Sequence, residues 1–298
     1  MRRALRLAVA TMLAVAATLT GCAGTGGSDG DLTDDWAPMG RPGPFTPAAG
    51  VCQVADFTPT VGLAAYAPVG CDVPHRVETT HVGTFTVERP DPPTLDSPQM
   101  RAAFAECDTR TGGYVGDDWR AGRLRLSVAM PTGAGWAAGA RWFRCDLTEL
   151  TTVEPAATVV TRTGSLRGAL KPPSRLRLGC QRTGRDARRV QTLTPADCAV
   201  AHDAEFVGAW AAPDRPYPSK PADWAPLYTG CFGAVARYTG VPADAGLRYR
   251  SDVVVRPPGA RRWAVGDRGV RCYLWLSDRR VTTSLKGAGP AGLPLRTR

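Results

Sequence analysis

Two matched constellations hold the residues best able to do chemistry. His75 and Glu78 stand three apart, as do His202 and Glu205. Each pair follows a cysteine in the pattern Cys-x-Val-x-His-x-x-Glu, read as Cys71-Asp72-Val73-Pro74-His75-Arg76-Val77-Glu78 and Cys198-Ala199-Val200-Ala201-His202-Asp203-Ala204-Glu205. An imidazole beside a carboxylate can act as a general base or ligate a metal ion. On a helix, a gap of three would put both side chains on one face. The Val- and Thr-rich stretch from Arg76 to Val87 reads instead as a strand, where residues three apart face opposite sides. Zinc takes three or four ligands. Each pair offers two, and His81 adds one to the first set only. A structural or recognition use is therefore expected, with no metal and no cofactor. Trp136 and Trp263 are a second matched pair, each before a Gly-containing turn. They read as core residues or as a stacking surface for a sugar or peptide. The chain has no Gly-rich phosphate loop and no His-Glu-x-x-His, so no catalytic residue is assigned.

The cysteines organise these pairs. Leaving aside Cys22, eight remain in two sets of four, with gaps of 19, 36 and 38 residues and of 18, 33 and 41. An even number without Cys-x-x-Cys favours disulfides over a zinc ribbon or a redox site. Three connectivities are open within each set. The favoured one is first to second and third to fourth: Cys52–Cys71, Cys107–Cys145, Cys180–Cys198 and Cys231–Cys272. Flanking residues repeat as well. Gln53 and Gln181 follow the first cysteines, and Tyr114 and Tyr238 lie seven residues after the third. Trp136-Ala137-Ala138-Gly139-Ala140-Arg141 parallels Trp263-Ala264-Val265-Gly266-Asp267-Arg268, with Pro131 and Pro258 five residues before each Trp. Such matched offsets point to a tandem duplication.

Each copy reads as strands, one main helix, then strands. The helix follows Ser97-Pro98 in the first copy and runs from Pro221 to Ala236 in the second. Alternating Leu124, Leu126 and Val128 mark a half-buried strand. The expected fold is α+β: two small disulfide-stapled modules, at 48–150 and 175–285, that fold separately. Residues 151–174 read as a linker and 286–298 as a tail.

The N-terminus has Arg2, Arg3 and Arg6, then an uncharged apolar run from Leu7 to Leu19. That order is a secretory signal peptide, 1–21, whose apolar run is too short to span a bilayer. Leu19-Thr20-Gly21-Cys22 resembles the lipobox of bacterial lipoproteins, which implies lipid on Cys22 and cleavage before it. Residues 22–47, rich in Gly, Ser, Asp and Pro, read as a flexible tether. The expected location is the outer face of the cytoplasmic membrane, held by the lipid anchor, and export excludes nucleic acid as a partner. Heavy Ala, Arg, Gly and Pro usage suggests a GC-rich, actinobacterial source. Charge is uneven: residues 47–150 carry 9 basic and 12 acidic side chains, residues 175–298 carry 21 and 10. Arg167, Lys171, Arg175, Arg177, Arg182, Arg185, Arg188 and Arg189 form a basic run. It reads as a solvated face or as a contact for an anionic surface.

The Cys-x-Val-x-His-x-x-Glu motif, the Trp-x-x-Gly-x-Arg-x-x-x-Cys-x-Leu ending and the leader together resemble the septum formation domain family of actinobacterial envelope proteins. The resemblance covers both copies, though the Pro before His75 is Ala201 in the second. It implies an extracytoplasmic, non-enzymatic protein linked to septation that binds an envelope protein or polymer. His75, Glu78, His202, Glu205, Trp136 and Trp263 are the candidate recognition residues. The rival expectations are a wall-acting enzyme using His and Glu, and a polyanion-binding module.

Overall fold

The computed structural model describes residues 43–86, 90–186 and 189–296. The signal segment 1–21, Cys22, the tether to residue 42 and Arg188 lie outside the described residues. Pro44–Arg298 forms one compact unit. The last tether residues already belong to it, since the Phe45 ring packs on Tyr66 and Trp142 with centroids 4.9 and 6.0 Å away.

Short strands β1 (Cys52–Gln53), β2 (Thr60–Val61) and β3 (Pro68–Val69) lead into β4 (Val77–Thr84) and helix α1 (Pro98–Val115). Then follow β5 (Leu124–Pro131), the short helix α2 (Gly133–Ala137) and β6 (Trp142–Glu149). The second half contains β7 (Cys180–Asp186), β8 (Arg189–Pro195), β9 (Ala204–Ala211) and α3 (Ala225–Thr239). It ends with β10 (Asp252–Arg256), α4 (Ala260–Ala264) and β11 (Gly269–Trp275). Two sheets result, with strand orders β2-β5-β6-β4-β1-β3 and β10-β11-β9-β7-β8. Every pairing is antiparallel except β2 with β5.

Local sequence accounts for these elements. Ser97 caps α1 by accepting from the Met100 N–H, Pro98 starts the helix, and Gly116 at φ 87° ends it in the left-handed region that glycine tolerates. Met100, Ala103, Phe104, Cys107, Thr111 and Val115 lie at helical spacing and are buried. β5 buries Leu124, Leu126 and Val128 on alternate positions.

The disulfides join Cys52 to Cys71, Cys107 to Cys145, Cys180 to Cys198 and Cys231 to Cys272. The second and fourth tie a helix to a central strand; the first closes the excursion that begins at β1, and the third the hairpin of β7 and β8. Each such loop closure stabilises by about 2–4 kcal/mol.

Two expectations about boundaries are corrected. Residues 151–174 are not a free linker, because Leu166 and Leu170 are buried with Met100, Phe104, Trp119 and Leu147 in the first core. Nor is 286–298 a loose tail: Leu293 is buried beside Leu285 and Leu247 in the second core. Both segments carry apolar residues that the sheets alone cannot cover.

The expectation of two separate modules is corrected too, since the halves share a seam within one compact unit. Arg120, on the turn after α1, bonds Asp108 in its own half at 2.8 Å and Asp267 in the other at 2.8 Å. Arg271 of β11 donates to the carbonyl oxygens of Arg120 and Leu124. Ala121 packs with Leu193, Phe206, Val254 and Tyr273. A buried carboxylate and guanidinium so placed need each other, because either alone in that seam would lack solvation. Burial disfavours the charged form of both, yet their attraction prevails: Arg120 is held above and Asp267 below its usual range.

Candidate functional site

Each histidine–glutamate pair sits where its chain enters a long strand. His75 exchanges backbone hydrogen bonds with Arg162, and its Nδ1 lies 2.8 Å from the Val73 carbonyl oxygen. His202 does the same with Val281 and Val200, the Nδ1 distance again being 2.8 Å. Glu78 pairs with Cys52 across β4 and β1, and Glu205 with Cys180 across β9 and β7. The disulfides and the carboxylates are therefore neighbours on one scaffold.

The carboxylates act as acceptor hubs. Tyr114 Oη and Ser165 Oγ donate to Glu78 Oε1 at 2.5 and 2.6 Å, and the Leu166 N–H donates to Oε2 at 2.6 Å. Tyr238 Oη and Ser284 Oγ donate to Glu205 Oε2 at 2.8 and 2.9 Å, and the Leu285 N–H donates to Oε1 at 2.8 Å. Burial pushes both phenols up, and the adjacent carboxylate adds to it, so each keeps the proton it donates. In the second half His202 Nε2 also lies 3.2 Å from Glu205 Oε1. His75 Nε2 is enclosed and has no hydrogen-bond partner among the described residues.

The expectation that a strand would separate histidine from glutamate is corrected for both pairs, whose donor atoms lie within 4.8 Å of one another. Arg76 and Asp203 are bends, and the strands begin only at Val77 and Ala204. Alternation therefore does not reach back to either histidine, and His202 alone closes to hydrogen-bond distance of its glutamate.

These four side chains are 0–1% exposed, so a recognition role through direct contact is corrected: none reaches the surface. Their donor atoms do cluster, with Cys52, Cys71, His75 and Glu78 in one group and Cys180, His202 and Glu205 in the other, within 4.8 Å. The cysteines are consumed in disulfides and offer no thiolate. The glutamate oxygens are already taken by O–H and N–H donors. The two ligands left in each group do not make a zinc site. His81 points elsewhere, its Nε2 bonding Glu106 at 2.7 Å.

The tryptophans are likewise core residues, 0% and 3% exposed, so a stacking surface for a ligand is corrected. The guanidinium five residues later folds back over each ring, Arg141 at 4.2 Å from the Trp136 centroid and Arg268 at 4.6 Å from that of Trp263. Each arginine also donates to the carbonyl oxygen of its tryptophan. Gly139 and Gly266, at φ 94° and 107°, allow the reversal. The repeated Trp-x-x-Gly-x-Arg is thus a cation–π turn that closes each core.

Sequence reasoning missed the hub donors Ser165 and Ser284. A signal was present: Thr163-Gly164-Ser165-Leu166-Arg167-Gly168-Ala169 matches Thr282-Thr283-Ser284-Leu285-Lys286-Gly287-Ala288 at six of seven positions if the basic pair counts as one. Gly168 and Gly287 then donate to the carbonyl oxygens of Tyr114 and Tyr238, both at 2.8 Å. Each segment thereby returns to the end of its helix.

Of the basic run, Arg177 binds Asp117 and the Leu170 carbonyl oxygen, and Arg167 lies over Tyr114. Arg167, Lys171, Arg175, Arg182, Arg185 and Arg189 are exposed, and among the described residues no carboxylate pairs with them.

The whole is an α+β protein in which a repeated set of polar side chains holds strands, helix and returning segment together around a buried carboxylate. The chain belongs to the septum formation family, whose model matches residues 49–272 and so spans both halves. No curated protein and no solved structure matches it. Membership suggests a role in cell division. No helix among the described residues is long and apolar enough to cross a membrane.

Proposed function

We propose that the chain is an exported, lipid-anchored and non-enzymatic envelope protein that serves septum formation by binding a protein or an anionic envelope polymer. The observation that carries this reading is the burial of all four histidine and glutamate side chains in structural hydrogen bonds. A wall-acting enzyme would need at least one of them at a surface that a polymer can reach. The four disulfides and the leader ending in Cys22 support an oxidising, extracytoplasmic site on the outer face of the membrane.

The two halves arise, in this reading, from a tandem duplication. Support comes from the shared core order β5-β6-β4-β1 and β10-β11-β9-β7, the equivalent disulfides and the two hubs. Composition supports an actinobacterial source. The exposed cations of the second half favour an acidic partner over a basic one.

Two measurements test the proposal together. Cys22→Ala should shift the protein from the membrane fraction to the medium or leave it as precursor. The purified protein should release no fragments from isolated cell wall. A Cys22→Ala protein that is processed and still stays in the membrane, or wall hydrolysis lost on His202→Ala with the fold intact, would overturn it.

A further inference from the structure

The outer edges of two equivalent strands are treated differently. In the first half the edge of β5 is covered at both ends. β2 pairs beside it at Thr60 with Met130 and Val61 with Pro131, while the Leu124 carbonyl oxygen at the other end accepts from Arg271. β10 holds the same place in the second sheet and is its outermost strand. Along β10 runs a cleft of about 620 Å³, bordered by Val253, Val254 and Val255 on one side and by Arg189 and Val190 of β8 on the other. Trp224, Trp275 and the 44% exposed Tyr228 form its aromatic walls.

The charges at the cleft have one sign available. Arg189 and Lys220 are exposed, and among the described residues neither has a carboxylate in an ion pair. Arg256 is held by Glu154 at 3.4 Å and by the carbonyl oxygens of Val190 and Gln191. Asp223, the carboxylate beside Lys220, accepts from the Ser219 and Lys220 N–H groups. Cations and prolines on an edge can serve simply to repel other strands. Pro257 and Pro258 do block pairing beyond Arg256, at the place where β2 adds to β5. The five residues of β10 itself contain no proline, and aromatic walls are no part of a repelling edge.

We propose that β10 takes an extended acidic segment of a partner protein, added as a further strand along the cleft. Main-chain hydrogen bonds would come from the strand edge, alternate apolar side chains would lie on the aromatic walls, and carboxylates would meet Arg189 and Lys220. This rests on the reading of the chain as a binding protein. A polymer of sugar or glycerol phosphate would use the cations but not the strand edge.

The test uses the compact unit Pro44–Arg298, which holds all four disulfides. The probes are a labelled peptide of alternating glutamate and valine, about seven residues long to span a strand of this length, the same peptide with alternate backbone nitrogens methylated, and poly(glycerol phosphate). The expected result is binding of the first peptide with increased hydrogen-exchange protection in β10. Backbone methylation should weaken it at least tenfold. The double variant R189E/K220E should do the same while keeping its Tm. Equal binding of the methylated peptide, or unchanged exchange in β10, would overturn strand addition. Binding of poly(glycerol phosphate) without the peptide would overturn the peptide and leave a binding protein. Binding of neither probe would overturn the cleft as a site. Wall hydrolysis by the same unit would instead overturn the broader reading.

Discussion

The two halves place the same arginine on the same strand and give it opposite work. Arg144 precedes Cys145 in β6, and Arg271 precedes Cys272 in β11. In the first half Asp146 follows, and Arg144 turns back to it at 2.7 and 3.0 Å. Thr79 donates to the other carboxylate oxygen and Gln53 to Thr79, making a buried polar chain. In the second half the equivalent places hold Tyr273 and Phe206, whose rings pack at 5.4 Å. Among the described residues no carboxylate forms an ion pair with Arg271, which reaches across to the carbonyl oxygens of Arg120 and Leu124. Burial pulls its pKa down to about 10, and the guanidinium remains charged at neutral pH. With tyrosine and phenylalanine in place of Asp146 and Thr79, the arginine serves as a tie between halves instead of a member of an internal ion pair. The lesson is that a repeated motif preserves the backbone frame, while the neighbour of each polar group decides what that group holds.

The hubs provide the strongest way to break this comparison. Glu78→Ala and Glu205→Ala each leave a buried N–H and a part-buried phenol without their acceptor, while the serine hydroxyl, on an exposed residue, can turn to water; each buried group left unsatisfied costs about 1–3 kcal/mol. We expect a loss of about 3–5 kcal/mol for either variant, read by urea denaturation. A variant that keeps its stability would show that the hub does not hold its half together.

Arg120→Ala comes next, at about 3 kcal/mol, because Asp267 loses one of two guanidinium partners and Arg262 remains at 2.8 Å. The same change should loosen the coupling between halves, so that calorimetry resolves two transitions where one is expected for the native protein. A single sharp transition at an unchanged Tm would mean that the seam is incidental.

The polar chain of the first half predicts a pH effect that the second lacks. Burial raises Asp146 to about 6, although Arg144 and Thr79 oppose it. A carboxyl group whose folded pKa lies above its unfolded value of about 3.9 favours the folded state most when protonated. That contribution is present below about pH 4 and is lost as pH rises through about 6. Asp146→Asn cannot titrate. Its stability relative to the native protein should therefore improve by about 2 kcal/mol between pH 4.5 and 7.5. A difference that is flat with pH would refute the shifted carboxyl.

The smallest effect separates the histidines. His202 makes a second contact, to Glu205, that His75 does not make to Glu78. His202→Ala should cost about 1 kcal/mol more than His75→Ala, the net worth of one hydrogen bond. Equal losses would place the whole contribution of both rings in the shared Nδ1 contacts.

Several features were legible before any coordinates. The two cysteine sets, their favoured pairing, the helix after Ser97-Pro98 and the strand through Leu124, Leu126 and Val128 all follow from local rules of spacing, capping and alternation. The matched offsets of His, Glu, Tyr and Trp announced that these residues mattered. Their chemistry pointed toward a surface or a site, whereas packing put them inside. A carboxylate looks the same in a sequence whether water or a tyrosine hydroxyl satisfies it.

What tertiary structure alone decided is the meeting of distant segments. Residues 163–169 and 282–288 lie far along the chain from the glutamates they satisfy, and nothing in their own spacing names that partner. The seam through Arg120, Asp267 and Arg271 joins halves whose repeats read as independent. The strand that caps the edge of β5 and the lack of one at β10 depend on where two short excursions between cysteines lead: one sends β2 across the sheet and the other folds back as β7 and β8. Local sequence determines the conformation of each element because capping, alternation and loop closure act over a few residues. Partner choice is decided by which buried polar groups and uncovered apolar faces remain once those elements have formed, and that is a property of the assembled fold.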